Sequence, residues 1–141
     1  MGYVYTKYAT RDINAIKQNI DNWNRFYKLA GIRGIFFDEA SMDIEDIDFY
    51  IELTNYATSK GFLFNALNPG TNADDAYFQS DIANIIVSYE NRVDTLDTFI
   101  DMNTPTIFTK KALILYDTNE SHIDDLNNYI IDHRFDYYYF E

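Results

Sequence analysis

The chain has 141 residues, 47% of them hydrophobic and 18% aromatic, which is enough to bury the core of one domain spanning 1–141 and too apolar for a disordered polymer. Eleven basic against 23 acidic residues give a net charge of −12, which argues against nucleic acid as a partner because phosphate binding needs clustered Lys and Arg. Absent cysteine excludes disulfides and thiolate metal sites, and the lack of any run of about 18 apolar residues argues against membrane insertion.

In chain order, Gly2 to Thr6 is an aromatic and β-branched strand, followed by a polar stretch through Arg11. Asp12 is placed to cap a helix from about Ile13 to Ala30, with Ile16, Ile20, Trp23, Phe26, Tyr27 and Ala30 as its apolar stripe and Gly31 as its stop. Gly34 to Asp38 reads as a buried strand. A helix from about Ile44 to Ser59 follows, with Ile47, Tyr50, Ile51 and Tyr56 facing inward, closed by Gly61. The spacing then predicts a strand at Phe62 to Leu67, a turn at Asn68-Pro69-Gly70, and a short helix at Ala73 to Ser80. Next come a strand at Ile85 to Tyr89, a helix at Arg92 to Met102, a strand at Lys111 to Tyr116, a helix at Ile123 to Asp132 and a last strand at Tyr137 to Phe140.

About six βα repeats with near-continuous apolar strands define the α/β class and a parallel sheet. Two architectures fit. One is an open, doubly wound sheet. The other is a (β/α)8 barrel lacking its first two strands, since a whole barrel typically needs ~250 residues. A partial barrel leaves two open edges, which self-association or a partner chain would cover.

The strand ends hold the chemistry. Phe36-Phe37-Asp38-Glu39 and Ser88-Tyr89-Glu90 each run from apolar strand into carboxylate, and two carboxyl groups across a cleft can work as an acid and an ionised partner. Successive strand residues point to opposite faces, so Asp38 and Glu39 reach one cleft together only if the strand has already bent. The pairing expected is therefore Asp38 or Glu39 with Glu90. Each of the three has an ordinary alternative as an exposed loop carboxylate or helix cap. Asn68 serves either as a turn former or as a donor to a sugar hydroxyl, and Arg11 either pairs with a cleft carboxylate or faces solvent. Tyr3, Tyr5, Tyr8 and Tyr89 lie near strand tips, where aromatic rings either stack on sugars or fill the core. His122 and His133 are too far apart to share a metal. With no phosphate loop, nucleophile elbow or zinc signature, no metal or other cofactor is expected.

Five ordered segments carry a family resemblance: Gly2-Tyr3-Val4-Tyr5-Thr6 with Arg11, Asn19-Ile20-Asp21, Gly34 to Glu39, Asn68-Pro69-Gly70-Thr71, and the strand ending at Glu90. On these the chain resembles the C-terminal three quarters of the spherulin-4-like, or spherulation-specific, family, with the likeness thinning after Glu90. The resemblance implies a (β/α)8 glycoside-hydrolase fold and endo-acting cleavage of α-1,4-linked galactosamine or N-acetylgalactosamine polymers. It makes Asp38, Glu39 and Glu90 the catalytic candidates; Tyr5, Arg11, Asn68, Tyr89 and Tyr116, by their positions near the same strand ends, are the substrate-binding ones. Tyr116 stands where the family commonly has His, and the two strands that precede Gly-Tyr-Val in the family are missing. The partner implied is a polysaccharide. The alternative is a non-catalytic carbohydrate-binding or structural module of a larger cell-surface, secreted or virion assembly. Met1 to Tyr5 lacks the character of a signal peptide, while the resemblance suggests an extracellular or surface-associated protein.

Overall fold

The computed structural model describes residues 1–141, apart from the side chains of Glu120 and Ile123. Six strands, β1 (Gly2–Tyr5), β2 (Ile35–Asp38), β3 (Ala66–Asn68), β4 (Ile85–Arg92), β5 (Lys110–Tyr116) and β6 (Tyr137–Phe140), form one parallel sheet in the order β1-β2-β3-β4-β5-β6. The helices are α1 (Ile13–Tyr27), α2 (Ile47–Ser59), α3 (Asp75–Gln79) and α4 (Ile123–Asp132). This is the α/β class, with the strand order never reversing. No helix is long and apolar enough to cross a membrane among the described residues.

Asp12 caps α1 as its position predicts, its Oδ1 accepting from the Ala15 N–H at 2.8 Å. The apolar stripe is shorter than expected. Ile16 and Ile20 are buried, but Phe26, Tyr27 and Ala30 are exposed, and the chain passes from α1 into a 3-10 turn over Lys28–Ala30 that buries nothing. Trp23 ends the packed stripe, donating from Nε1 to the Tyr3 carbonyl at 2.8 Å. Gly2 makes room for it, since a Cβ there would meet the indole at 2.6 Å.

Val4, Phe37, Leu67 and Ile86 form one row across β1 to β4 and pack with Ile16, Ile20, Leu53 and Ala57 of α1 and α2. A second cluster joins Tyr89, Leu113 and Leu115 to Leu126 and Ile130 of α4. Leu113 lies two residues beyond Lys111, the register partner of Ile86, so α4 covers the same sheet face as α1 and α2. The opposite face holds the row of Tyr5, Asp38 and Asn68.

Three expected elements are corrected. The strand predicted at Phe62 to Leu67 is paired only over Ala66–Asn68. Before it, side-chain amides replace the ladder: Asn65 accepts from the Ile35 N–H at 3.2 Å and donates to the Phe62 carbonyl at 3.1 Å, while Asn84 accepts from the Asn65 N–H at 2.8 Å. The helix predicted at Arg92 to Met102 is a 3-10 stretch over Val93–Thr98. There the hydroxyls of Thr95 and Thr98 bond the carbonyls three residues back, and Leu96 alone is buried, so no apolar face sustains an α-helix. Lastly, β4 runs on to Arg92 and contains a bulge: Val87 pairs with Ala112, but Tyr89 pairs with Leu113, leaving Ser88 unpaired.

Candidate functional site

The bulge decides which side chains meet. Val87 lies on the Asn68 face of the sheet, and plain alternation from it would put Tyr89 on that face and turn Glu90 toward the helices. One extra residue reverses this. Tyr89 enters the second core cluster, its hydroxyl paired with Thr95 Oγ1 at 2.6 Å, and Glu90 joins Asp38 and Asn68. Of the two roles its position allowed, Tyr89 takes the core one, and its ring does not line the cleft.

At the strand tips Asp38, Glu39, Asn68 and Glu90 line a cleft of about 230 Å³ with Tyr8 and Tyr116. Glu39 has φ +46°, so the chain turns immediately after β2, which lets two consecutive carboxylates face one cleft. Its carbonyl accepts from the Tyr8 N–H at 2.7 Å and from Thr6 Oγ1 at 2.8 Å. Lys7, Tyr8 and Ala9 are likewise left-handed, at φ 54°, 51° and 60°. Backbone strain of this kind concentrates where the chain must present a side chain, here Tyr8 at the rim. Lys7→Gly is expected to raise unfolding free energy in urea by about 1 kcal/mol, because glycine adopts that conformation without a Cβ penalty and the Lys7 side chain is exposed.

Asn68 is buried at the end of β3 and uses both amide hydrogens: Nδ2 donates to Asp38 Oδ1 at 2.8 Å and to Glu90 Oε2 at 2.5 Å. Its Oδ1 is buried with no hydrogen-bond partner among the described residues. The amide orientation follows from these neighbours, since the reverse would set three acceptors together. Asp38 accepts a second bond at Oδ2, from the Tyr3 hydroxyl at 2.7 Å. That bond to Asp38, aided by burial, pushes the Tyr3 hydroxyl up to about 12. Gly70, at φ +68°, carries the chain from Asn68 past Glu90, and its carbonyl accepts from the Glu90 N–H at 3.0 Å.

The remaining candidates divide. Tyr116 lines the cleft, with its hydroxyl 3.4 Å from Asn91 Oδ1. Tyr5 is half-buried beside the site, its hydroxyl raised by burial and by the Glu39 carboxylate. Arg11 meets neither expectation. Its guanidinium donates to the Tyr5 carbonyl at 2.7 Å and to Asn19 Oδ1 at 2.7 Å, which ties β1 to α1. Tyr3 was legible as a strand-tip aromatic, but its bond to Asp38 was not; the signal lay in pairing β1 with β2, which sets Tyr5 opposite Asp38 and Tyr3 one pleat away on the same face. Among the described residues no group of three or more His, Asp or Glu is placed to hold a metal ion.

Fold and site together define an α/β domain whose parallel sheet gathers carboxylates from the C-terminal ends of β2 and β4 on either side of the Asn68 amide that ends β3. The chain belongs to spherulation-specific family 4, whose family model matches residues 1–140 and so extends well past Glu90, where the short motifs thin out. It is similar to spherulin-4 of Physarum polycephalum, 37% identical over 92 residues. That match takes in 64% of this chain and 26% of the Physarum protein, so the chain spans only about a quarter of that relative. No solved structure matches.

Proposed function

We propose that this domain is of the glycoside-hydrolase type and acts on an amino-sugar polysaccharide, α-1,4-galactosaminan or its N-acetylated form, with Asp38, Glu39 and Glu90 supplying the acid groups. The observation that carries this reading is the shared contact of Asp38 and Glu90 with one nitrogen of Asn68, which keeps their bonded oxygens about 5 Å apart or less, the ~5 Å spacing of a retaining pair. One carboxyl protonates the leaving glycosidic oxygen. The other, ionised, meets the positive charge that develops at the anomeric carbon. Tyr8 and Tyr116 offer aromatic edges at the rim, and the cleft's negative charge favours a substrate bearing free amines.

A (β/α) barrel scaffold belongs to the same reading. Strand order β1 to β6 without reversal, and α1, α2 and α4 on one face, favour a barrel over a doubly wound sheet, which switches direction and carries helices on both faces. The second reading is a non-catalytic carbohydrate-binding or structural module. It draws on the two sheet edges, β1 and β6, of which β6 exposes Tyr137, Tyr138 and Tyr139 by roughly half, as an interface with a second copy or another chain would require. Reducing-end release from both polymers, with proton NMR of the first product, separates the two. Hydrolysis with retained anomeric configuration is the expected result; binding without hydrolysis selects the module.

A further inference from the structure

Asn68 was read from the sequence as a turn former or sugar ligand, yet it is the most buried polar residue of the cleft and touches both members of the acid pair. From this we infer that Asn68 is the positioning residue of the site: its single carboxamide holds Asp38 and Glu90 together and divides their roles, leaving Glu90 to deliver the proton and Asp38 to remain the ionised partner. The inference rests on the hydrolase reading above.

The division follows from which oxygens are taken. Asp38 has both oxygens engaged by donors, Oδ1 by Asn68 and Oδ2 by Tyr3, so a proton on either would displace a hydrogen bond. Glu90 bonds only through Oε2, and Oε1 has no protein partner among the described residues. A proton on Oε1 leaves the Asn68 bond intact, because Oε2 still accepts. On passing to a glycosidic oxygen, that proton leaves Glu90 ionised beside the same amide donor. Two carboxylates this close repel, and the donor hydrogens between them offset that repulsion. Asn68 Oδ1 is buried and has no hydrogen-bond partner among the described residues, so the amide's hold on the site runs through its two N–H groups.

The test compares wild type with Asn68→Ala and Asn68→Asp on α-1,4-galactosaminan. Asn68→Ala is expected to lower kcat about 100-fold, the scale of a misplacement of about 1 Å, with KM within about threefold. Asn68→Asp has nearly the same shape but offers a donor only when a proton is shared among three carboxyls. Its activity relative to wild type is expected to rise at least tenfold, as an order of magnitude, from pH 7.5 to 5. A residue that merely supports the fold would lower the melting temperature of both variants and leave that ratio flat. A flat ratio, or Asn68→Ala with kcat within about threefold of wild type, overturns the inference. Crystal structures keep this separate from the hydrolase reading: if wild type cleaves neither polymer that reading fails, while Asp38 and Glu90 standing unmoved in Asn68→Ala removes the clamp itself, and their parting by about 1 Å or more upholds it.

Discussion

Glu90→Gln is expected to lower kcat on α-1,4-galactosaminan by roughly a thousandfold, within the 10²–10⁴ that a positioned general acid contributes, while the melting temperature stays near that of wild type. The substitution is demanding because it is nearly silent structurally. A glutamine carbonyl accepts the Asn68 N–H as Oε2 does, and its NH₂ occupies the open position of Oε1, so geometry persists while the transferable proton is gone. On the proposed hydrolase reading Asp38→Asn is expected to cost as much, since it would remove the negative charge assigned to the anomeric centre and leaves Asn68 and Tyr3 without an ionised acceptor. Glu39→Gln should cost about tenfold or less, because Glu39 lines the cleft without joining the Asn68 pair. Steady-state rates for the three variants, with circular-dichroism melts alongside, check the ranking. Equal losses for Glu39 and Glu90 would contradict it.

The largest stability effect is expected far from the cleft. Lys111, only 1% exposed at the start of β5, donates from Nζ to Asp101 Oδ2 at 2.5 Å and to the Asn103 carbonyl at 3.0 Å, and lies 4.3 Å over the Phe135 ring. Asp101 is nearly as buried, with His133 Nδ1 a further 3.4 Å from the same oxygen. Lys111→Met strands a buried carboxylate and is expected to lower unfolding free energy by roughly 3–5 kcal/mol, the range for breaking one side of a buried pair. Adding Asp101→Leu to that variant should recover most of the loss, since removing both charges also removes the desolvation cost. Urea unfolding of the single and double variants measures this directly. A double variant no better than the single would mean that the cluster acts through the loop fold around Asn103 and not through charge.

Much of the scaffold was readable because its signals are local. Asp12 announces a helix one residue on, and the apolar runs at Gly34 to Asp38 and Lys111 to Tyr116 can hardly be other than buried strands. The misreadings at Phe62 to Leu67 and at the end of β4 have a different cause: each depends on a partner distant in sequence. Phe62 to Asn65 has the composition of a strand, but Asn65 and Asn84 take up the hydrogen bonds that a ladder would have used. In the candidate site Asp38 and Glu90 were legible as strand-tip acids, whereas Asn68 as their common donor and Tyr3 as the second donor to Asp38 needed the strand register.

The extra residue at Ser88 has a consequence for how relatives of this chain are compared. Between Val87 and Glu90 the chain changes phase, so a homologue lacking the insertion would keep every local hydrophobic preference and yet exchange the environments of its Tyr and its Glu. An alignment that slides a gap by one position here would equate a core aromatic with a cleft acid and score the pair as divergence. Within the family, sameness of function at this strand is then better judged by the count of residues between β3's terminal Asn and β4's acid than by which letters happen to match.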